Sequence, residues 1–197
     1  MIVRRRPVGG GRGRCPSDRA PGPTQTDLLT AARIVVPDFL GNRAPHADPA
    51  ATGVVSGLTL DAGFDDLLGT YVAAVLGVGY GLRQILEVQR AHDVCPRAVV
   101  LSGGAGQSQT IKQMLADACG LPVLALGCEE PVLLGAAMLG AVASGDFGDL
   151  RTAIAQMSSF ARSFEPSEGA TTQRLRVRFA AFEVMQGADR MFRQALA

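Results

Sequence analysis

The 197-residue sequence has no tryptophan, two tyrosines, two histidines and four cysteines. With aromatics at only 5%, any core has to be built mainly from Ala, Val and Leu. The cysteines, at positions 15, 95, 119 and 128, show no CxxC pair and no metal-ligand spacing with His46 or His92, which argues against a zinc module or a disulfide scaffold. Cys119 and Cys128 lie in apolar stretches, where a reduced thiol acts as a small hydrophobe. A reducing, cytoplasmic setting is therefore expected. Long hydrophobic runs are lacking as well. The apolar run from Tyr71 to Tyr80 is interrupted by glycines and falls short of the roughly 18–20 residues that span a bilayer. A soluble protein with no membrane partner is the expectation.

Charge is sparse and unevenly placed. Seven arginines (4, 5, 6, 12, 14, 19 and 33) stand against Asp18 and Asp27 in residues 1–33, a net +5, so the rest of the chain carries −4 of the overall +1. A mildly acidic body lacks the clustered Lys and Arg that phosphate backbones require, so no nucleic-acid partner is expected. Residues 1–26 are Gly, Pro and Arg with almost no hydrophobic periodicity. Such a segment cannot bury enough apolar surface to offset its ordering entropy. Its prolines also argue against the amphipathic helix of a transit peptide. The expected organisation is a disordered Gly/Pro/Arg-rich tail over residues 1–33, with a lead-in from about Asp27, and a folded domain over residues 34–197.

In that domain, Val54 to Leu60 (VVSGLTL) reads as a strand, its β-branched residues lying ahead of a glycine. Asp61 is placed to cap the next helix. Apolar residues at 68, 72, 75, 76, 82, 85 and 86 fit one face of that helix, from Asp65 to about His92. Gly77, Gly79 and Gly81 inside it each cost up to about 1 kcal/mol relative to Ala, which points to close packing against another element. A short apolar strand over 97–101 leads to a helix ending near Ala118, and a second strand spans 122–126. Glu129-Glu130-Pro131 opens the next helix, and Leu133 to Val142 is apolar enough to be buried nearly all round. Phe147–Met157 and Thr171–Leu196 are further helices. The alternation gives an α/β class in three layers.

The Gly-rich turn over residues 102–108 is the most informative local feature. It ends an apolar strand and opens a helix, so its N–H groups can face an anionic ligand where the helix dipole favours negative charge. Gly103 and Gly104 let a nucleotide approach the main chain, and Ser108 offers a hydroxyl. The Lys of a P-loop is absent, and GGxGxS has the wrong spacing for a dinucleotide fingerprint. By itself the turn fits a ligand-free strand-to-helix connection as well. Thr59, beside Gly57 at a strand end, is placed to reach a phosphate, although Thr is common in strands for packing reasons.

Six segments in order, PDFLGNRAP, SGLTL, GVGYGLRQI, LSGGAGQSQTIKQMLAD, GLPV and EPVLLGAAMLGAVASG, resemble the C-terminal domain of FGGY carbohydrate kinases, most closely the ribulokinase-like branch. The resemblance runs from about Ile34 to the C-terminus. It implies the actin, Hsp70 and hexokinase-like (ribonuclease H-like) fold, in which two α/β domains close over ATP. It also implies nucleotide contacts at Gly57, Thr59, Gly103, Gly104, Ala105 and Ser108, with Phe39, Asn42 and Arg43 near the sugar pocket. ATP with Mg²⁺ is the implied cofactor, and a pentulose such as ribulose, or a related polyol, the implied substrate. Gln107-Ser108 stands where relatives often carry Lys-Asn, Ala44 where Ser is common, and Leu82 where Thr is common.

The family's first phosphate hairpin and its catalytic Asp belong to the N-terminal domain, and nothing in residues 1–33 matches them. Asp38, Asp48, Asp61, Asp65 and Asp66 read as turn or cap residues. No catalytic or metal-binding residue is assigned, and the chain alone is expected to be inactive. A homo-oligomer and a separately encoded N-terminal half are the partner arrangements left open. The rival reading is a catalytically inactive relic or interaction module that keeps the fold and weak nucleotide binding. Deleting residues 1–26 is expected to leave the thermal midpoint unchanged within error, and a drop of several degrees would refute the tail assignment.

Overall fold

The computed structural model describes residues 33–61, 63–103, 108–128 and 130–196. Most of the expected tail therefore lies outside the described residues. Its last member, Arg33, does not behave as tail: it is buried, and the ordered domain includes it.

The chain begins with β1 (Ile34–Val36) and β2 (Val54–Ser56). They pair antiparallel, with Val35 opposite Val55. All three β1 residues are buried, as a β-branched run on a covered sheet should be. The strand expected over Val54 to Leu60 stops at Ser56, because Gly57 adopts φ +77° and turns the chain out of the ladder. Leu58 and Leu60 beyond it are exposed.

Helix α1 (Phe64–Ala91) comes next and ends on His92. Asp61 does not cap it. Its Oδ1 accepts the Gly63 N–H at 2.9 Å, a side-chain turn just ahead of the helix. Strand β3 (Val99–Leu101), helix α2 (Gln109–Cys119) and strand β4 (Val123–Leu126) form a βαβ unit, with β3 and β4 parallel. Helix α3 (Pro131–Ala143) starts with proline at its first turn, where the missing N–H costs nothing. Helix α4 (Leu150–Met157) is capped by Asp149, which accepts the Thr152 N–H at 2.7 Å. Strand β5 (Phe160–Phe164) returns antiparallel to β4, and α5 (Ala170–Leu196) closes the domain. The sequence carries no periodic sign of β5, since only Phe164 in it is buried.

Two apolar clusters share α1. Tyr80 lies between Phe179 and Phe182 of α5, with ring centroids at 5.8 and 5.6 Å, beside Val36, Val72 and Leu76. Burial pushes the Tyr80 phenol up to about 12. The second cluster joins Leu86 to Leu115, Cys119, Val123 and Phe164. Cys119 is buried there, its thiol raised mainly by desolvation, in keeping with its reading as a hydrophobe.

Two of the three glycines of α1 have the close neighbours expected. A Cβ on Gly77 would lie 2.2 Å from the Val35 carbonyl oxygen, and one on Gly79 would lie 2.5 Å from Ala118 Cβ. Gly81 faces open space. The burial expected for α3 is overturned. Only Met138 is buried, while Val132, Leu133 and Leu139 are 80%, 66% and 62% exposed. Apolar composition alone does not supply a covering element, and the main described neighbour of α3 is α4.

Gly77→Ala is expected to lower stability by about 1–3 kcal/mol, because the β1 backbone has to move. Gly81→Ala is expected to be neutral, or to stabilise by up to about 1 kcal/mol. Urea unfolding of the two variants checks the contrast, and equal effects would contradict this packing.

Candidate functional site

The sequence-predicted ligand residues fall in three places. At the end of β3, Gly103 has φ +84°, and a Cβ there would meet nothing within 4 Å. The main chain is therefore open to a ligand on that side. Gly104 and Ala105 lie outside the described residues. Ser108 is the N-cap of α2, its Oγ accepting the Ile111 N–H at 3.3 Å. One acceptor lone pair of this hydroxyl is thus engaged within the fold, and its proton stays available for donation.

At the end of β2, the Thr59 Oγ1 accepts the Asp61 N–H at 3.2 Å. The carbonyl of Gly57 accepts from Arg33 Nη2 at 3.2 Å. Sequence reasoning overlooked this arginine by placing it in the tail. Arg33 also donates to the Asp66 carbonyl at 2.6 Å, to Thr70 Oγ1 at 2.7 Å and to Asp66 Oδ1 at 2.5 Å. It therefore ties the turn after β2 to the first turns of α1. Such a charge-assisted set holds a left-handed turn in place. The Gly57–Thr59 turn and the Gly103–Ser108 turn sit at the ends of strands in different sheets, and no described hydrogen bond joins them.

The third place is the loop between β1 and β2. Asn42 is buried and organises it. Its Nδ2 donates to both Asp38 oxygens at 3.1 Å, its Oδ1 accepts the His46 N–H at 3.2 Å, and its backbone exchanges two 2.8 Å bonds with Asp48. Phe39 is exposed but overhangs Gly53, where a Cβ would fall 2.2 Å from its ring. Arg43 is exposed.

Helix α5 clamps this loop from the far end of the chain, which no local signal announced. Gln186 is buried, donates Nε2 to Asp38 at 3.0 Å, and takes Gln84 Nε2 at 2.9 Å on its Oε1, with His46 Nε2 at 3.1 Å from the same oxygen. Arg193 bridges Asp48 at 2.6 Å and Asp189 at 2.8 Å, and Thr52 donates to Asp189 at 2.5 Å. The Arg193 hydrogen bond holds the Asp48 carboxyl below its usual range. Burial pushes Asp189 upward, but the bonds from Thr52 and Arg193 outweigh it and leave that carboxyl low too.

Four of the five carboxylates named in the sequence reading are committed. Asp38 and Asp48 hold the loop, Asp61 a turn and Asp66 an ion pair, while Asp65 lies in the first turn of α1. No group of three or more His, Cys, Asp or Glu able to hold a metal exists among the described residues. No described helix is long and apolar enough to cross a membrane.

The parallel βαβ unit defines the class, an α/β domain, and its strand-to-helix turn has neither the P-loop lysine nor the dinucleotide spacing. Comparison with known proteins narrows it. Residues 23–144 match the model of the FGGY family of carbohydrate kinases, C-terminal domain, and the chain belongs to that family. An FGGY carbohydrate kinase domain-containing protein of Xenopus laevis is 41% identical over 140 residues, 71% of this chain and 26% of that protein. A human protein of the same description is 41% identical over 139 residues, 71% of this chain and 25% of its own length. The chain thus spans about a quarter of the length of these curated relatives.

Among solved structures, a xylulose kinase from Brucella ovis superposes with a TM-score of 0.68 at 21% identity, over 86% of this chain and 35% of that one. That likeness shows the fold, the actin and hexokinase-like one expected from the resemblance. The family match begins at residue 23, ahead of the expected domain start, and stops before β5 and α5.

Arg193→Met is expected to lower the urea midpoint at pH 7. Asp48 and Asp189 titrate lower in the folded state than unfolded, so their contribution is present above the ordinary Asp value near 4. It is lost as pH falls through the folded values. The gap between wild type and variant should therefore narrow as pH falls below the ordinary Asp value. A gap that persists undiminished at acid pH would contradict the clamp.

Proposed function

We propose that this chain is the ATP-side domain of a sugar kinase acting on a pentulose such as ribulose, or on a related polyol. Family membership supports the kinase class. A D-ribulokinase of Saccharomyces cerevisiae, 36% identical over 128 residues, supports the pentulose. The observation that carries the nucleotide role is the unobstructed main chain at Gly103 ahead of the α2 N-terminus. The amides of the first helical turn and the helix dipole favour the negative charge of a polyphosphate there. Ser108 contributes its free proton, and Thr59 a hydroxyl to the terminal phosphates. Phe39, Asn42 and Arg43 border the sugar.

Mg²⁺ supplies charge neutralisation in phosphoryl transfer, and in this reading it is held mainly through ATP. Transfer also needs donors on both sides of the phosphate and a base at the sugar hydroxyl. Asp38, Asp48, Asp61 and Asp66 are occupied in a loop, a clamp, a turn and an ion pair, and in this reading the base comes from a facing domain. The 197 residues by themselves bind without turning over. Engagement of Ser108 as a cap, with Gln107 in place of a common lysine, favours weak binding, and it is the feature an inactive relic would share.

ADP titration is expected to give a dissociation constant of about millimolar, near 4 kcal/mol of binding. Gly104→Val places a branched side chain where the nucleotide lies, and should remove binding while leaving the circular dichroism spectrum intact. Equal binding by both forms would move the site elsewhere, and no binding by either would favour the relic. With ATP, Mg²⁺ and D-ribulose no phosphorylation is expected. Turnover abolished by a mutation in this chain would reveal an overlooked base.

A further inference from the structure

Helix α2 carries a cation that the fold leaves without a counter-charge. Lys112, in the first turn of that helix, is buried and only 8% exposed. Helical side chains lean toward the N-terminus, so its ammonium sits toward the helix start. There it meets the Phe164 ring at 5.4 Å. Arg162 lies two residues before Phe164, on the same face of β5. Its guanidinium is 4.9 Å from the same ring, and its Nη1 donates to Gln109 Oε1 at 3.1 Å. Two positive groups therefore share one ring beside the first residue of α2. The ring attracts each weakly and neutralises neither. Neither has an ion pair among the described residues. The carboxylates nearest in sequence are turned elsewhere. Glu165 accepts from Ser163 Oγ at 2.5 Å. Asp117 accepts from Gln113 Nε2 at 2.9 Å and from the Ser167 N–H at 2.7 Å. A buried positive charge beside a second one, with no anion between them, is unfavourable.

We propose that Lys112 and Arg162 hold a phosphate group at the N-terminus of α2. The helix start alone would suit any strand-to-helix connection, and the buried, unneutralised Lys112 is what marks this one. Its ammonium supplies a point charge. The guanidinium of Arg162, steadied by Gln109, supplies its remaining N–H donors. The helix itself gives the Gln109 and Thr110 N–H groups no partner, and the Ser108 Oγ takes that of Ile111. Amides and helix dipole therefore favour the same negative charge as the two cations. A phosphate dianion matches two cations in charge and offers several acceptor oxygens. Two sources can deliver such a group, the phosphates of a nucleotide or free inorganic phosphate. The first rests on the nucleotide reading above and would add cationic contacts to it. The second stands without that reading.

Thermal unfolding of the full chain in about 50 mM phosphate, against chloride of equal ionic strength, tests the site. The wild-type midpoint is expected to rise by about 4 °C or more. Phosphate also stabilises folded chains by exclusion from their surface, so the reading is the part of the rise that a variant loses. Lys112→Met keeps the apolar stem and should lose most of it. Arg162→Gln, an exposed substitution, should do the same without touching the core. Arg151→Gln, exposed on α4, should keep the full rise. Arg162→Glu puts a carboxylate beside Lys112. Its midpoint in chloride should equal or exceed the wild-type value, and phosphate should add nothing specific. Titrations with ADP and adenosine separate the two sources. If the group belongs to the nucleotide, Arg162→Gln weakens ADP binding about tenfold and leaves adenosine unchanged. If it is free phosphate, both forms bind ADP alike. A wild type that answers to phosphate but does not bind ADP sinks the nucleotide reading alone. Equal phosphate responses in wild type, Lys112→Met and Arg162→Gln would overturn the proposal. So would a full response in Arg162→Glu.

Discussion

The domain depends on how closely α1 approaches its neighbours. At Gly77 the helix backbone lies against the Val35 carbonyl, and at Gly79 it lies against Ala118. These contacts bring β1 and α2 onto one helix. The two apolar clusters, one around Tyr80 and one around Leu86 and Val123, can then share a single element. The strands are three to five residues long and divided between two sheets. Neither sheet is large enough to organise a core alone. The helix does that, and the glycines permit it at a local cost in helix propensity.

The candidate site hangs on this frame by polar attachments of long sequence range. Arg33 fastens the turn after β2 to α1, and Gln186 with Arg193 fastens the β1–β2 loop to α5. Loops that carry ligand contacts gain their definition from such anchors rather than from their own short chains. The anchors also explain why several carboxylates that look available in the sequence are unavailable as bases: each already serves a cation, an amide or a backbone N–H. By contrast a Cβ at Gly103 would meet nothing within 4 Å, and that opening is what the proposed nucleotide contact rests on.

Much of this was legible beforehand where the signal is local. The helix over 64–91, the βαβ unit, the Gly-rich turn and the family resemblance all rest on spacings within a few tens of residues. A side chain's period and a glycine's freedom act over that range. The close packing at Gly77 and Gly79 was also readable, because an unfavourable residue in a helix interior implies a neighbour. Gly81 fell under the same rule and has no such neighbour.

What only the tertiary structure decided concerns partners distant along the chain. Apolar composition suggested a buried α3, but burial needs a covering element, and among the described residues α4 covers only part of it. Position assigned Arg33 to a tail, while its ion pair with Asp66, 33 residues away, places it in the domain. Strand β5 exists because β4 offers it an edge to pair with, not because FARSF alternates in polarity. The clamp between Gln186 and Asp38 spans 148 residues. The sequence by itself therefore determined the family, the long helix after β2 and the βαβ unit, since each depends on neighbours along the chain. Which charges are committed, which apolar faces are covered and what holds the loops depend on which residues meet in space, and folding alone decides that.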